Sequence, residues 1–360
     1  LNLLGGGRIM ADVKNVMGVS ADDIKSIMGV DVGDIKTIVG LDWPASGGQW
    51  FGSRHFMMGG YFGSDSNRIS YKASTSSGDA GDFGDLTTTN RTPLGAGTGN
   101  GKARGVSGGG HDGSAIRDAI DYIATTSTQN AGDFGDMTAP TQSGATMSNG
   151  TLLFMAAGWD TDIGSRTDKM EYITVASTGN GTDAGNLLDQ LWELAGASGD
   201  TRGAIFGGNT GDSADGYVGY SYATVDYIAF HTSNDAADFG DLSVKQYLGS
   251  ACASVVRWVA KAGTNYDSAT GTSYYIHMDY FTVDTLGNAS DFGDMADMTG
   301  YTSGMADGTR GEWWGGKNAS QADTDAIGYI TIGSASDGTD AGNLHAVGYS
   351  VNAGLSGAAS

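Results

Sequence analysis

At 360 residues, with a formal net charge of -22 and a pI near 4.2, the chain is long enough for a large core and is strongly acidic. That charge repels phosphate backbones and anionic membrane surfaces and argues against both as partners. A single cysteine, Cys252, rules out an intrachain disulfide framework, and no apolar run of about 18 residues is present to form a membrane-spanning helix.

The opening residues, Leu1 to Arg8, have neither the basic start nor the long apolar run of a signal peptide. An 11-residue repeat follows: Asp12-Val13-Lys14-Asn15-Val16-Met17-Gly18-Val19 recurs from Asp23 and again from Asp34. Gly18, Gly29 and Gly40 stand where helices stop, and Ser20 with Asp23 and Asp31 with Asp34 stand where helices are capped. The expectation is three helices of one to two turns rather than one continuous supercoiling helix. Their apolar pairs (Val13 with Val16, Ile24 with Ile27, Ile35 with Ile38) need a surface to cover, because such short helices do not persist alone. Residues 1–45 are therefore expected to be a docking segment, and it holds three of the chain's nine lysines. Asp42 to Gly48 reads as a linker.

Residues 46–360 carry a second, longer repeat. Asp79-Ala80-Gly81-Asp82-Phe83 recurs from Asn130, Asp183, Asp235, Asn288 and Asp340, in steps of 51, 53, 52, 53 and 52 residues. The last residues of these copies are Phe83, Phe134, Leu187, Phe239, Phe292 and Leu344. Glycine, at 61 residues, is far above its ordinary share, while proline is only 3, which suits many short strands joined by tight turns. The second copy shows four strand signals: Ala103 to Gly110, Ala119 to Thr125, the Gly132 to Met137 segment and Ser143 to Ser148. Asn149-Gly150 then leads into the next apolar run as a hairpin signal, with Asn100-Gly101, Asp307-Gly308 and the variant Gly199-Asp200 at the same phase. Four strands in about 50 residues favour a propeller over a β-solenoid, whose coils are shorter. The C-terminal run Ala353-Gly354-Leu355-Ser356-Gly357 matches Ala195 to Gly199, so it is expected to complete the blade that opens at Trp50-Phe51 and to close the ring.

These residues resemble the kelch repeat. Glycine doublets occur at Gly59-Gly60, Gly108-Gly109, Gly207-Gly208 and Gly315-Gly316, and a tyrosine at Tyr71, Tyr122, Tyr172, Tyr227, Tyr280 and Tyr329. The resemblance covers about 310 residues and departs from the family in the last strand, where Phe or Leu replaces the usual Trp. Together with the six-fold repeat, it makes the expected fold all-β, a six-bladed kelch-like propeller, behind the short helical N-terminal segment expected from the 11-residue repeat. The Asp-Phe-Gly-Asp motif and the Ile-Lys-x-Ile/Val-x-Gly-Val tandem also resemble repeats of tailed-bacteriophage virion proteins. That similarity implies a virion location, docking on other virion proteins through the N-terminal segment, contact with a host-surface glycan or protein, and room for a homo-oligomer.

The large side chain of each motif is expected to plug between blades, with the glycine permitting a turn and the Asp side chains capping backbone N–H groups. Calcium at these carboxylates is the alternative, although no full ligand loop is visible. No catalytic, cofactor or metal constellation emerges. His55, His111, His231, His277 and His345 share no metal spacing, Cys252 reads as a small buried hydrophobe, and the ten arginines look scattered. Trp258, Trp313 and Trp314 read as core rather than as a sugar-stacking face. The loops that differ most between copies, Ser64 to Arg68, His111 to Arg117, Trp159 to Thr167, Asn209 to Tyr220 and Thr264 to Ser273, are the binding candidates. The expected function is a non-enzymatic virion structural protein, a tail, collar or capsid appendage. The other reading is a secreted carbohydrate-active enzyme or lectin of propeller fold.

Overall fold

Six antiparallel sheets follow one another along the chain in the computed structural model, five of them four-stranded and the third five-stranded, with Thr141–Gln142 added beside the far end of Leu152–Asp160. Residues 52–93, 95–99, 103–199, 201–211, 221–230, 235–267, 271–318, 320–348 and 354–357 are described, with six short stretches between residues 15 and 42. Blade 2 is typical: Gly95–Gly99, Arg104–Gly108, Ala119–Ala124 and Gly132–Asp136 pair in chain order. Blades 3 to 6 repeat this order, beginning at Ala145–Ser148, Ala195–Ser198, Ser250–Ala253 and Ser303–Ala306. Blade 1 takes its first strand from the other end of the sequence. Gly354–Gly357 pairs antiparallel with Arg54–Tyr61, Leu355 opposite Phe56, as the C-terminal match predicts.

The six first strands touch one another in cyclic order, so the arrangement is a closed six-bladed β-propeller with those strands innermost. Their sequences explain the close approach. Ala195-Gly196-Ala197-Ser198, Ser250-Ala251-Cys252-Ala253 and Ser303-Gly304-Met305-Ala306 are nearly all small residues. A Cβ at Gly196 would run into the carbonyl oxygen of Thr146 in the preceding blade, and one at Gly304 into that of Ala251.

The core is divided among the blade interfaces. Val106, Ile120 and Phe134 of blade 2 pack on Leu153, Met155 and Ile173 of blade 3, and five similar clusters fill the other junctions. Trp258, Trp313 and Trp314 are fully buried in these clusters, as expected. Cys252 is buried at the interface of blades 5 and 6, where burial pushes its thiol pKa up.

The hairpin expected at Asn149-Gly150 is present with a shifted turn. Asn149 pairs with Leu152 across a Gly150-Thr151 loop, and Asn149 Oδ1 accepts from the N–H groups of Thr151 and Leu152 at 3.0 and 2.8 Å. Asp307 does the same for Thr309 and Arg310. The Asn100-Gly101 turn and Asp200 lie outside the described residues.

Two compact units divide the chain, Leu1–Gly48 and Gln49–Ser360. In the first, the expected helices are replaced wherever residues are described. Asn15–Val16 pairs with Val19–Ser20, Ser26–Ile27 with Val30–Asp31, and Thr37–Ile38 with Leu41–Asp42, each antiparallel. The partners are two residues apart, and the second intervening residue is Gly18, Gly29 or Gly40. A glycine in a two-residue gap suits a tight hairpin as well as a helix stop, and the β-branched pairs favour strand. Ile27 and Ile38 lie in these strands, whereas Ile24 and Ile35 lie outside the described residues.

Candidate functional site

The Asp-Phe-Gly-Asp motif builds the joint between neighbouring blades. At the end of the outer strand of blade 1, the Asp85 N–H donates to Asn130 Oδ1 of blade 2 at 3.1 Å, and the Asp85 carbonyl accepts from the Ala131 N–H at 2.7 Å. The same pair of bonds joins Asp136 to Asn180 and Gly181, Asn186 to Asp235 and Ala236, Asp241 to Asn288 and Ala289, and Asp294 to Asp337 and Gly338. The sixth clamp, Asn343 to Asp79 and Ala80, closes the ring at 3.1 and 2.9 Å. The glycine before each clamp has positive φ, from +102° at Gly185 to +148° at Gly84. A Cβ at Gly135 would stand 2.5 Å from the Gly179 carbonyl oxygen. The Asp two residues before that glycine caps its N–H in five blades, for example Asp291 to Gly293 at 3.0 Å.

This geometry corrects the register of two copies. Tyr71, Tyr122, Tyr172, Tyr227, Tyr280 and Tyr329 pair across the sheet with Gly81, Gly132, Thr182, Ala237, Ser290 and Thr339. Thr182 and Thr339 are thus the equivalents of Gly81. Ala184 and Ala341 take the place of Phe83, and Leu187 and Leu344 that of Leu86. All six motif side chains are nonetheless buried: Phe83, Phe134, Leu187, Phe239, Phe292 and Leu344. Ala184 shares its core cluster with Phe154 and Phe230, and Ala341 with Trp314. The matching Asp-Ala-Gly string in the sequence hid the shift.

Five of the ten arginines, read as scattered, occupy one structural position. Arg54, Arg104, Arg202, Arg257 and Arg310 open the second strand and lie over Tyr71, Tyr122, Tyr227, Tyr280 and Tyr329 at 3.6–5.5 Å from the ring centre. Arg104 Nη1 also donates to the Val175 carbonyl of the next blade at 3.0 Å, and Arg257 Nη1 to that of Ile332 at 2.9 Å. The signal was available as an Arg just after each inner-hairpin turn. It is masked in blade 3, where Leu152 replaces it.

Because strands alternate in direction, the connections between second and third strands all leave on one face, together with the blade-to-blade connections. Ser64 to Arg68, His111 to Arg117 and Trp159 to Thr167 are these connections or the strand ends beside them, as are the described ends of Asn209 to Tyr220 and Thr264 to Ser273, whose residues 212–220 and 268–270 lie outside the described residues. Two are braced by blade-to-blade segments: the Thr89 hydroxyl donates to the Asp112 carbonyl at 2.7 Å, and Tyr247 and Thr264 exchange backbone bonds at 2.8 Å. Blade 5 adds a hairpin here, Thr264–Asp267 with Gly271–Tyr274, and Tyr274 is exposed. Trp159 and Trp192, half-buried, bring their rings to 5.7 Å on the same face.

Ionisable groups are concentrated between blades. Glu312, fully buried in blade 6, pairs with Lys72 and His55 of blade 1 at 2.9 Å each, and receives Arg310 Nε and Trp314 Nε1 at 2.9 Å. Burial raises its pKa, but the hydrogen bond and charge of His55 and the Lys72 ammonium outweigh that and hold it below the usual carboxylate value. At four other junctions an acid on the third strand faces the preceding blade: Asp121 accepts from Thr87 Oγ1 at 2.6 Å, Glu171 from Thr138 N at 2.8 Å, Asp226 from Leu188 N at 3.0 Å, and Asp279 from Ser243 N at 2.8 Å. Burial pushes Asp121 and Glu171 up, and Asp226 to about 6. Lys261 donates to the carbonyls of Ala262 and Thr299, and burial pushes its pKa down to about 7.

The histidines are dispersed. His111 Nδ1 accepts from Gly113 N at 2.9 Å beside Asp112, which caps Ser114 and Ala115. His277 Nε2 lies 3.0 Å from both Ser243 Oγ and Asp279 Oδ1. Its Nδ1 lies 3.7 Å from Asp294 Oδ1 and 3.8 Å from Asp291 Oδ1, beyond hydrogen-bonding range, so Ser243 and an aspartate are not hydrogen-bonded to opposite nitrogens of the ring. His345 is exposed, and His231 lies outside the described residues. Among the described residues no group of three or more His, Cys, Asp or Glu side chains is placed to share a metal, and no helix is long and apolar enough to cross a membrane. The chain matches no protein-family model, and no curated protein matches it.

Proposed function

We propose that the chain is a non-enzymatic structural component of a virion, a tail, collar or capsid appendage, whose propeller is displayed for contact with a host-surface protein or glycan. The supporting observation is the division between scaffold and face. The clamps, small inner strands and Arg–Tyr pairs recur around the ring, whereas the connections of one face differ from blade to blade. Variation confined to the loops of a rigid scaffold is the arrangement that binding faces use. Positive-φ glycines at the end of the second strand, such as Gly59-Gly60 and Gly315-Gly316, and the third-strand tyrosine support a kelch-like reading of each blade.

Residues 1–45 serve in this proposal as the docking element toward other virion proteins. Removing them and measuring both folding and incorporation into the native assembly tests it. The expected result is a folded propeller that no longer incorporates. Normal incorporation, or an unfolded propeller, overturns it. The Trp159–Trp192 pair favours a lectin as second reading, since aromatic faces stack on sugars. A glycan array with a hydrolysis screen separates the two.

A further inference from the structure

The junction where the ring closes, between blades 6 and 1, departs from the other five. On the second strand, the residue opposite the repeat tyrosine faces the next blade. It is Phe56, Val106, Phe154, Ala204 and Val259 in blades 1 to 5, each within an apolar cluster, but Glu312 in blade 6. On the third strand, the residue after the tyrosine faces the preceding blade. It is Ile123, Ile173, Ile228, Phe281 and Ile330 in blades 2 to 6, within the same clusters, but Lys72 in blade 1. Lys72 is paired across its sheet with His55, and both are buried. Two apolar positions have thus become charged together, at the one junction made by the two ends of the ring. Stability alone does not call for this, because apolar residues of similar volume often do as well as a buried ion pair. His55 Nε2 is even left buried without a hydrogen bond among the described residues.

We propose that Glu312, Lys72 and His55 select the partner of blade 1, so that the ring closes on blade 6 and on no earlier blade. The other faces follow one apolar pattern and do not by themselves distinguish one blade from another. A chain that has formed five blades therefore presents Val259 to blade 1 as a premature partner. Closing there would bury the Lys72 ammonium against Val259, with no carboxylate in reach. Phe154 or Ala204 would serve it no better. Glu312 would in turn be unpaired against Ile123 or any of its counterparts. Leaving one member of a buried pair alone is strongly destabilising, whereas the correct junction satisfies Glu312 with Lys72, His55, Arg310 and Trp314 at 2.9 Å each. The three residues therefore act against wrong closure more than in favour of the finished ring.

The test is refolding of the full chain from urea after the three residues are replaced by their counterparts in blades 3 and 5: His55→Leu, Lys72→Ile and Glu312→Val. The variant is expected to melt at or above the parent's temperature but to lose native monomer on refolding. Size-exclusion chromatography with light scattering reads open or joined rings. Limited proteolysis reads a blade 6 left outside a ring closed on blade 5. Should the triple variant fail to fold, Lys72→Met with Glu312→Gln decides by the same readouts, since it removes the charges and keeps an acceptor for Trp314. Refolding to native monomer with the parent's yield overturns the proposal. So does a fall in melting temperature alongside the loss of monomer, which would leave the three residues a structural role only. If neither variant folds, the proposal is likewise overturned.

Discussion

Asp226 and Glu312 are both buried between blades, yet their environments push them in opposite directions. Asp226 is held up at about 6, first by burial and then by the nearby charges of Asp189 and Asp238, against the single N–H of Leu188. An acid raised in the folded state contributes stability that is fully present below its unfolded value, near 3.8, and lost as pH rises through 6. Asp226→Asn keeps an acceptor for Leu188 and removes the charge. Urea melts should show it more stable than the parent at pH 7, by at most about 3 kcal/mol, with the gain vanishing near pH 4. Glu312 is depressed, so its contribution is present above the usual carboxylate value and lost as pH falls through its lower folded value. Glu312→Gln leaves Lys72 and Arg310 without their counter-charge and should cost about 3–5 kcal/mol at pH 7 in the same melts. Phe134→Ala, in the core between blades 2 and 3, should also cost about 3–5 kcal/mol, and a loss below about 1 kcal/mol would mean the ring is not the plug its burial implies. Gly135→Ala adds only a methyl group, but it demands positive φ and places that methyl against the Gly179 carbonyl. It should destabilise the chain by more than the ~1 kcal/mol of an ordinary glycine effect.

At the level of strands and turns, the inner strand of blade 1 is the most exposed to test. Deleting residues 353–360 removes Gly354–Gly357 and leaves the edge of Arg54–Tyr61 unpaired. The truncated chain should unfold or aggregate, and an unchanged melting temperature would show that closure contributes nothing. This strand was legible beforehand because Ala-Gly-x-Ser-Gly recurs in Ala195 to Gly199, and the blade count because the motif recurs six times. The register of the third and sixth copies was legible but missed: the motif starts eight residues after the repeat tyrosine in four copies and eleven residues after Tyr172 and Tyr329. The string Asp-Ala-Gly masked it, because Ala184 and Ala341 stand where the other copies have phenylalanine, within clusters that also hold Phe154, Phe230 and Trp314. The N-terminal hairpins were misread as helices for a different reason. Glycine after a β-branched pair fits both a helix stop and a two-residue turn, and only strand pairing separates them. The buried acids were legible as a set and were missed: Asp121, Glu171, Asp226 and Asp279 each stand directly before the repeat tyrosine, at Tyr122, Tyr172, Tyr227 and Tyr280.

For the molecule as a whole, the six clamps make each blade a partner of the next and divide the core into six interfaces, with no single centre. Unfolding should therefore be cooperative across the propeller unit, with far-ultraviolet and aromatic signals changing together, and a separate early loss of one blade would contradict it. The blade completed by Gly354–Gly357 and Arg54–Tyr61 also fixes an order of events during synthesis. Blades 2 to 6 consist of neighbouring segments and can pair as they leave the ribosome. Blade 1 has to wait with an open edge until residue 357 has emerged, about 300 residues after its second strand. Closure of that blade spans the longest loop in the fold and is expected to limit the folding rate. Until it happens, the nascent chain carries one exposed strand edge that a neighbouring copy can occupy, so chain crowding on a polysome, rather than any weakness of the finished ring, sets the chief hazard in its production.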